Sequence, residues 1–440
     1  MIDHADSTVG RFIARPARVG LRAPVAVHAH ASPIKSITAL TACASVIALG
    51  GIELVGPTSV LLFITCGAML AVLNWRSNLK LAARFALLLL LPAIAVLSTL
   101  WSDAPQVTMR AALQFFLTML LAIFITGNLS PRRLILMLWV AFLGLCSTAI
   151  PYASASLHSG QPLMSPLLGS KNQIGRDAYL LFAAALAICF DTEQSWIPRL
   201  LAAVSMAMAL GFGYLSQSGG GTVSFLLGIV LFSVFAILTL LPPRGRWVLC
   251  GVGVIAFAIS LVFRAQIDDS IANFRSEVLN KNETLTGRTY LWDVANKIWL
   301  DRPYLGHGYG AFWRHGNLDA EGLWRWAGIA SRSGFNFHNV LAEFKVDLGV
   351  LGLVVLIGSC IIVSALTIWR QLRAPTIPGA FFVAVPLVLY VRSYVESELI
   401  SAFSLLTLIW VASAVYGAGS GQLLRRKEKL KSNALIARAA

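Results

Sequence analysis

The chain has 440 residues, 57% of them hydrophobic and only 12% charged, with a formal net charge of +15. Its repeated apolar runs are long enough to cross a hydrocarbon layer of roughly 30 Å, which excludes a water-soluble enzyme. The runs lack the period-two alternation of barrel strands, so the expected fold is an all-α polytopic membrane bundle.

Residues 1–33 are polar and basic (Arg11, Arg15, Arg18, Arg22). No cleavage signal of the A-x-A kind follows the first apolar run, so a retained cytoplasmic arm is expected. Apolar segments then cover 34–52, 57–73, 81–100, 109–126, 134–151, 174–190, 197–215, 222–241 and 247–263. After a large loop over 264–337, three more follow at 348–368, 377–391 and 399–416. The reading is about twelve spans, nine within 34–263 and three within 338–416, closed by a basic cytoplasmic tail over 417–440.

With the N-terminus inside, the basic connections at Arg76/Lys80/Arg84, Arg132/Arg133, Arg199, Arg244/Arg246, Arg370/Arg373 and Arg425/Arg426/Lys427 all fall on the same side. The excess of Lys and Arg therefore reads as a topology signal, and no nucleic acid partner is expected. The stretches near Asp103, over 154–173, over 216–221, over 264–337 and over 392–398 then face outward. The six cysteines lie in apolar runs without CxxC spacing, which predicts buried thiols and no zinc site. Glu53, near the first outer turn, has no role assignable beyond topology.

Chemistry concentrates in the large loop. Leu291, Val294, Ala295, Ile298 and Trp299 give helical spacing over 289–300, expected to lie at the membrane interface. Arg288 stands at its N-terminal end, where a cation is disfavoured unless an anion shares the place; a phosphate suits it, and so do headgroup contact or pairing with Asp293. Gly306, Gly308 and Gly310 in PYLGHGYGAF read either as a close backbone approach to a ligand or as a loose tip. His338 and Asn339 precede a segment whose Val340, Leu341, Phe344 and Leu348 share a face. His338 at the mouth of the bundle is either structural or a base for a sugar hydroxyl.

Lys171, Asn172, Arg176 and Asp177 open the sixth apolar segment, and Arg392, Glu396 and Glu398 lie between the last two. Ionisable groups at a membrane boundary are functional candidates. The loop aromatics Tyr290, Trp292, Trp299, Tyr304, Tyr309, Trp313, Trp324 and Trp326 suit sugar stacking and interfacial anchoring equally. No metal-ligand spacing, Walker A or G-x-S-x-G motif is present, so neither a metal nor a cofactor is expected.

WSDAPQVTMRAAL (101–113), LLGSKNQIG (167–175), TGRTYLW (286–292), PYLGHGYGAF (303–312), HNVLAEFKVDLGVLG (338–352) and VES (395–397), in this order, resemble the O-antigen ligase and Wzy-type polysaccharide polymerase superfamily, in its ExoQ-like branch. The resemblance implies a glycosyltransferase on the periplasmic face of the bacterial inner membrane, acting on undecaprenyl-pyrophosphate-linked oligosaccharide. It implies a pyrophosphate-associated role for Arg288, a catalytic one for His338 and a substrate role for the Lys171–Asn172 pair. Asn339 and Glu396 are carried as substrate-binding candidates beside them. Where ligases usually place an Arg after Ser-x-Ser, this chain has Ser216-Gln217-Ser218-Gly219, which leaves the phosphates to Arg288, Lys171, Arg176 and Arg332. The expected reaction is metal-independent, inverting polymerisation of repeat units, with a chain-length-determining co-polymerase as a possible partner. The rivals are ligation to a lipid or protein acceptor and, less favoured, transport of lipid-linked sugars.

Overall fold

The computed structural model describes residues 33–262 and 286–419. The expected N-terminal arm, the loop segment 263–285 and the tail from 420 onward lie outside the described residues. Among the described residues the protein is helical, with one isolated bridge between Ser165 and Gly169.

Each apolar segment of the sequence contains helix. In chain order these are α1 (Pro33–Gly50), α2 (Ile52–Val55), α3 (Pro57–Leu73), α4 (Trp75–Arg84), α5 (Leu90–Leu97), α6 (Pro105–Asn128), α7 (Pro131–Ser147), α8 (Ile150–Ser159), α9 (Lys171–Phe190), α10 (Trp196–Leu215), α11 (Gly219–Ile237), α12 (Pro243–Val262), α13 (Thr286–Asp301), α14 (Leu318–Trp326), α15 (Val340–Arg373), α16 (Ile377–Arg392) and α17 (Leu405–Gly417). Among the described residues five helices (α6, α9, α10, α11 and α15) are long and apolar enough to cross a membrane, or up to seven spans if the bent pairs α3–α4 and α7–α8 each count as one. The hydropathy reading of about twelve exceeds this because several apolar segments form short helices: 86–100 splits into two 3₁₀ turns around α5, and α16 and α17 have 16 and 13 residues. Helix α8 was not expected; its run of small and polar residues reads as loop, yet it continues α7 across a 52° bend.

Burial follows the distribution of apolar surface. Helix α17 is apolar all round and every residue from Leu405 to Tyr416 is buried, so it forms the axis of the bundle. Helix α9 is nearly as enclosed, whereas α10 and α11 leave Leu200, Leu201, Val204, Leu226 and Val230 exposed on an apolar outer surface suited to lipid.

The connections gather at two ends of the bundle, as their charge alternation predicts. At one end Arg176 reaches Glu53, Asn172 reaches Glu396, and Gln217 donates to the Gly160 carbonyl. At the other, Arg132 pairs with Asp191 and Glu193, Arg84 donates to the Ala418 carbonyl, and the Tyr416 hydroxyl donates to the Leu129 carbonyl.

Helix α15 is broken at Gly349, where φ is 62°. The break frees backbone groups on both sides, and an unpaired backbone group deep in a bundle is costly. The stretch 303–308 pairs them. Val350 and Leu351 N–H donate to the carbonyls of Pro303 and Tyr304, while the carbonyls of Val346 and Asp347 accept from the N–H groups of His307 and Gly308. A Cβ on Gly306 would fall 2.5 Å from the Asp347 backbone, and one on Gly349 would collide with Tyr304. The close approach expected of the glycine run is therefore to a helix backbone.

Two of the sequence motifs meet here: WSDAPQ grips the same stretch. Asp103 accepts from Arg302 at 2.9 Å and faces His307 Nδ1 at 2.8 Å, and Trp101 Nε1 donates to the Leu305 carbonyl. Beside this clamp the loop has its own small core, in which Leu291, Ala295 and Ile298 of α13 pack with Phe312, Trp324, Phe337 and, from α15, Ala342 and Val346. The apolar face of α13, expected at the membrane interface, is covered by protein.

Candidate active site

One buried carboxylate organises the site. Glu396 lies in the turn between α16 and α17. Its Oε1 accepts from Arg288 Nη2 at 2.7 Å and from Asn172 Nδ2 at 2.9 Å, and its Oε2 lies 3.1 Å from His338 Nδ1. Three residues from α13, the start of α9 and the entry to α15 thus meet on one side chain. Burial works against the charge of Glu396, but the hydrogen bond with His338 and the charges of Arg288 and Arg392 outweigh it and hold the carboxyl below its ordinary range.

Each partner is fixed by its own local structure. Ser170 caps α9 in a reciprocal capping box with Gln173, which sets Lys171 and Asn172 in the first turn. Asn172 then accepts from Ser218 Oγ at 3.0 Å, tying in the cap of α11, and its carbonyl accepts from Arg392 Nη2 at 2.8 Å. His338 sits in the left-handed region, with φ at 52°, a strained position for a residue other than glycine. Asn336 Oδ1 accepts from its N–H, and the Phe335 ring stands edge-on 5.7 Å away. Asn339 caps α15 by accepting from Leu341 and Ala342 N–H, and its Nδ2 donates to the Tyr394 carbonyl.

With Nδ1 against a carboxylate, the imidazole keeps its hydrogen there and presents Nε2 as an acceptor. The Arg288 side chain remains 21% exposed beside it. A histidine and a guanidinium of partial exposure, side by side on one carboxylate, have the chemistry to hold an anion and to take a proton from a hydroxyl.

The structure distributes the sequence candidates unevenly. Arg288, His338, Asn172 and Glu396 come together, and the carboxylate facing Arg288 is Glu396 in place of Asp293. Asn339 is committed as a cap and positions His338. Lys171, half-buried, has no partner among the described residues. Arg176 is buried among three carboxylates: Nε and Nη2 donate to Asp177 at 2.8 and 3.2 Å, Nη2 also reaches Glu53 at 3.3 Å and Nη1 lies 3.2 Å from Glu398, a surrounding of negative charge that disfavours a phosphate. Arg332 stands apart on an exposed turn, 3.8 Å from Glu321. Sequence reasoning missed Ser218 and Glu53, whose partners lie 46 and 123 residues away and leave no local signal. Of the loop aromatics, Trp292, Trp299 and Trp313 donate to Phe337, Pro303 and Glu343, and Trp324 is buried. Tyr290 and Trp326 pair at 4.8 Å and stay exposed near Arg288.

A helical membrane bundle with an arginine and a histidine on one carboxylate defines a class to which two comparisons speak. The family model described as O-antigen ligase matches residues 203–357, which include Arg288 and His338. Over 364 residues the chain is 26% identical to the exopolysaccharide production protein ExoQ of Rhizobium meliloti (strain 1021), covering 79% of this chain and 80% of that protein. Together these matches support the O-antigen ligase and ExoQ-like family for this chain, as its motifs imply.

Proposed function

We propose that the protein is a glycosyltransferase that joins undecaprenyl-pyrophosphate-linked oligosaccharide repeat units into exopolysaccharide. The observation that carries this reading is the convergence of Arg288, His338 and Asn172, each from a different motif, on Glu396. The acceptor sugar hydroxyl gives its proton to His338 Nε2 as its oxygen bonds to the anomeric carbon of the donor glycan. The bond from that carbon to the pyrophosphate breaks, and the electron pair leaves with the lipid pyrophosphate. Arg288, aided by Lys171, neutralises the charge on the departing phosphates, while Glu396 orients the imidazole and stabilises its protonated form. A diphosphate is a good leaving group, so positioning and charge neutralisation carry the reaction, and a single displacement inverts the anomeric carbon. The site then faces the periplasm of the inner membrane with both termini cytoplasmic. Ligation to another acceptor is the second reading, favoured by the O-antigen ligase match.

The test is reconstitution of purified protein in liposomes with host lipid-linked oligosaccharide and excess EDTA, products resolved by gel. A ladder of lengthened lipid-linked glycans that disappears in His338→Ala is the expected result. A single modified acceptor would move the assignment to a ligase, and transfer of intact donor between leaflets would move it to a transporter.

A further inference from the structure

Behind the turn that carries Glu396 lies a cavity of about 380 Å³, open at one side, at the same end of the bundle. Ser397 and Glu398, which follow Glu396, are part of its wall, so the cavity adjoins the segment that carries the Arg288–His338 partner. Its volume is at the low end of the roughly 300–1,000 Å³ typical of small-molecule sites.

The lining combines two chemistries. Phe142, Phe403 and Leu49 give apolar surface, and Glu53, Asp177, Glu398 and Arg176 give charge. Arg176 is ringed by the three carboxylates, with Asp177 on Nε and Nη2, Glu53 on Nη2 and Glu398 on Nη1. Asp177 is sealed, with a side chain 1% exposed, whereas Glu398 and Glu53 keep 18% and 37% of their surface. These two therefore offer acceptor oxygens to an occupant. Glu398 is also held from the far side by Arg392 Nε at 3.1 Å, which joins the cavity wall to the Asn172 carbonyl and so to the Glu396 network.

This lining excludes most of what a lipid-linked glycan carries. A phosphate meets three carboxylates, and the guanidiniums beside them, of Arg176 and Arg392, already face those carboxylates. An isoprenoid chain would bury the open carboxyl oxygens without partners, which is unfavourable. No group of three or more ligand side chains suited to a metal ion exists among the described residues. A neutral sugar ring meets none of these objections. Its hydroxyls donate to carboxylates, and its C–H faces lie against aromatic and aliphatic walls.

We infer that this cavity is a glycan subsite, which takes a neutral sugar ring of the substrate oligosaccharide with Glu398 and Glu53 accepting from its hydroxyls. The inference rests on the glycosyl-transfer reading and adds a separation of charge to it: phosphate at Arg288, sugar at Glu398. Burial, reinforced by the neighbouring charge of Asp177 and opposed by Arg176, raises the Glu53 carboxyl above its ordinary range, which favours hydroxyl partners over cations there.

The experiment uses the full-length protein in nanodiscs. The probe is the repeat-unit oligosaccharide released from the host polysaccharide, free of lipid and phosphate, and binding is followed by calorimetry. Wild type should bind saturably, with affinity unchanged by inorganic pyrophosphate. Ala402→Trp, which fills the cavity, should weaken binding at least about tenfold, and Glu53→Gln, which keeps the shape, several-fold. If Ala402→Trp does not elute as folded protein, Glu53→Gln decides. No saturable binding, wild-type affinity in the folded variants, or displacement by pyrophosphate would each overturn the subsite. The polymerase reading is judged separately from the same preparation. Lengthening of lipid-linked donor without oligosaccharide binding removes the subsite alone, and binding without lengthening removes the polymerase reading alone.

Discussion

The two ends of this bundle use arginine in different proportions on carboxylates and on backbone carbonyls. At the end that carries Glu396, Arg288 and Arg176 point at carboxylates contributed by distant parts of the chain, 108 and 123 residues away. At the other end, Arg132 alone of the arginines described there meets carboxylates, of Asp191 and Glu193, while Arg84, Arg199 and Arg246 donate to backbone carbonyls of Ala418, Cys189, Leu238 and Leu241. A cation on a helix-end carbonyl completes local structure and favours the negative end of the dipole. A cation on a buried side-chain carboxylate depends on one geometry and places a titratable charge where chemistry can use it. The first kind tolerates replacement by another cation; the second does not.

That contrast is broken or sharpened by four measurements. Glu396→Gln keeps the size of the side chain but removes the charge that orients His338 and pairs with Arg288; glycan lengthening in liposomes should fall about a hundredfold or more. Activity within tenfold of wild type would mean that the convergence is structural. Arg288→Lys should cost about tenfold in the same assay, because an ammonium cannot reproduce the planar two-sided contact of a guanidinium.

The same Glu396→Gln variant has a stability signature. The folded carboxyl is held below its ordinary value of about 4.3, so its ion pairs stabilise the protein above that pH and are lost as pH falls through the lower, folded value. Thermal unfolding in detergent should show a deficit on the order of 2 kcal/mol at pH 7 that persists to about pH 5 and closes only in more acidic buffer. A deficit that grows on acidification would contradict the assignment. The smallest effect belongs to the other end: Arg246→Lys should change stability by no more than about 0.5 kcal/mol and leave lengthening rates within about twofold. A large loss there would erase the distinction between the two ends.

Much of this architecture follows from one-dimensional pattern. Apolar segments became helices because each is long enough to satisfy its backbone and apolar enough to be buried or meet lipid. Charge alternation sorted the connections to two ends. Arg288, His338, Asn172 and Glu396 were each visible as polar residues at segment boundaries, where burial of charge is notable. What pattern does not reveal is pairing at distance. Nothing near Arg176 beyond the adjacent Asp177 indicates that Glu53 and Glu398 will join it and surround the guanidinium with carboxylates. The break in α15 is equally hidden, because the stretch that pairs with its freed backbone, at Pro303 and Tyr304, lies about 45 residues earlier. Span number is obscured for a related reason: hydropathy reports apolar length, and bends such as the 101° one between α3 and α4 are set by packing.

The pairing of 303–308 with the broken helix makes these two pieces a single unit of exchange. In a chimera with a relative, transplanting the glycine stretch alone would leave the amides of Val350 and Leu351 and the carbonyls of Val346 and Asp347 without partners, each at a cost of about 1–3 kcal/mol. Transplanting α15 alone would do the reverse, and would strip the stretch of the backbone that holds it. Recombination between such proteins therefore has natural seams outside the interval from Pro303 to Leu351, and crossovers within it should yield protein that does not mature.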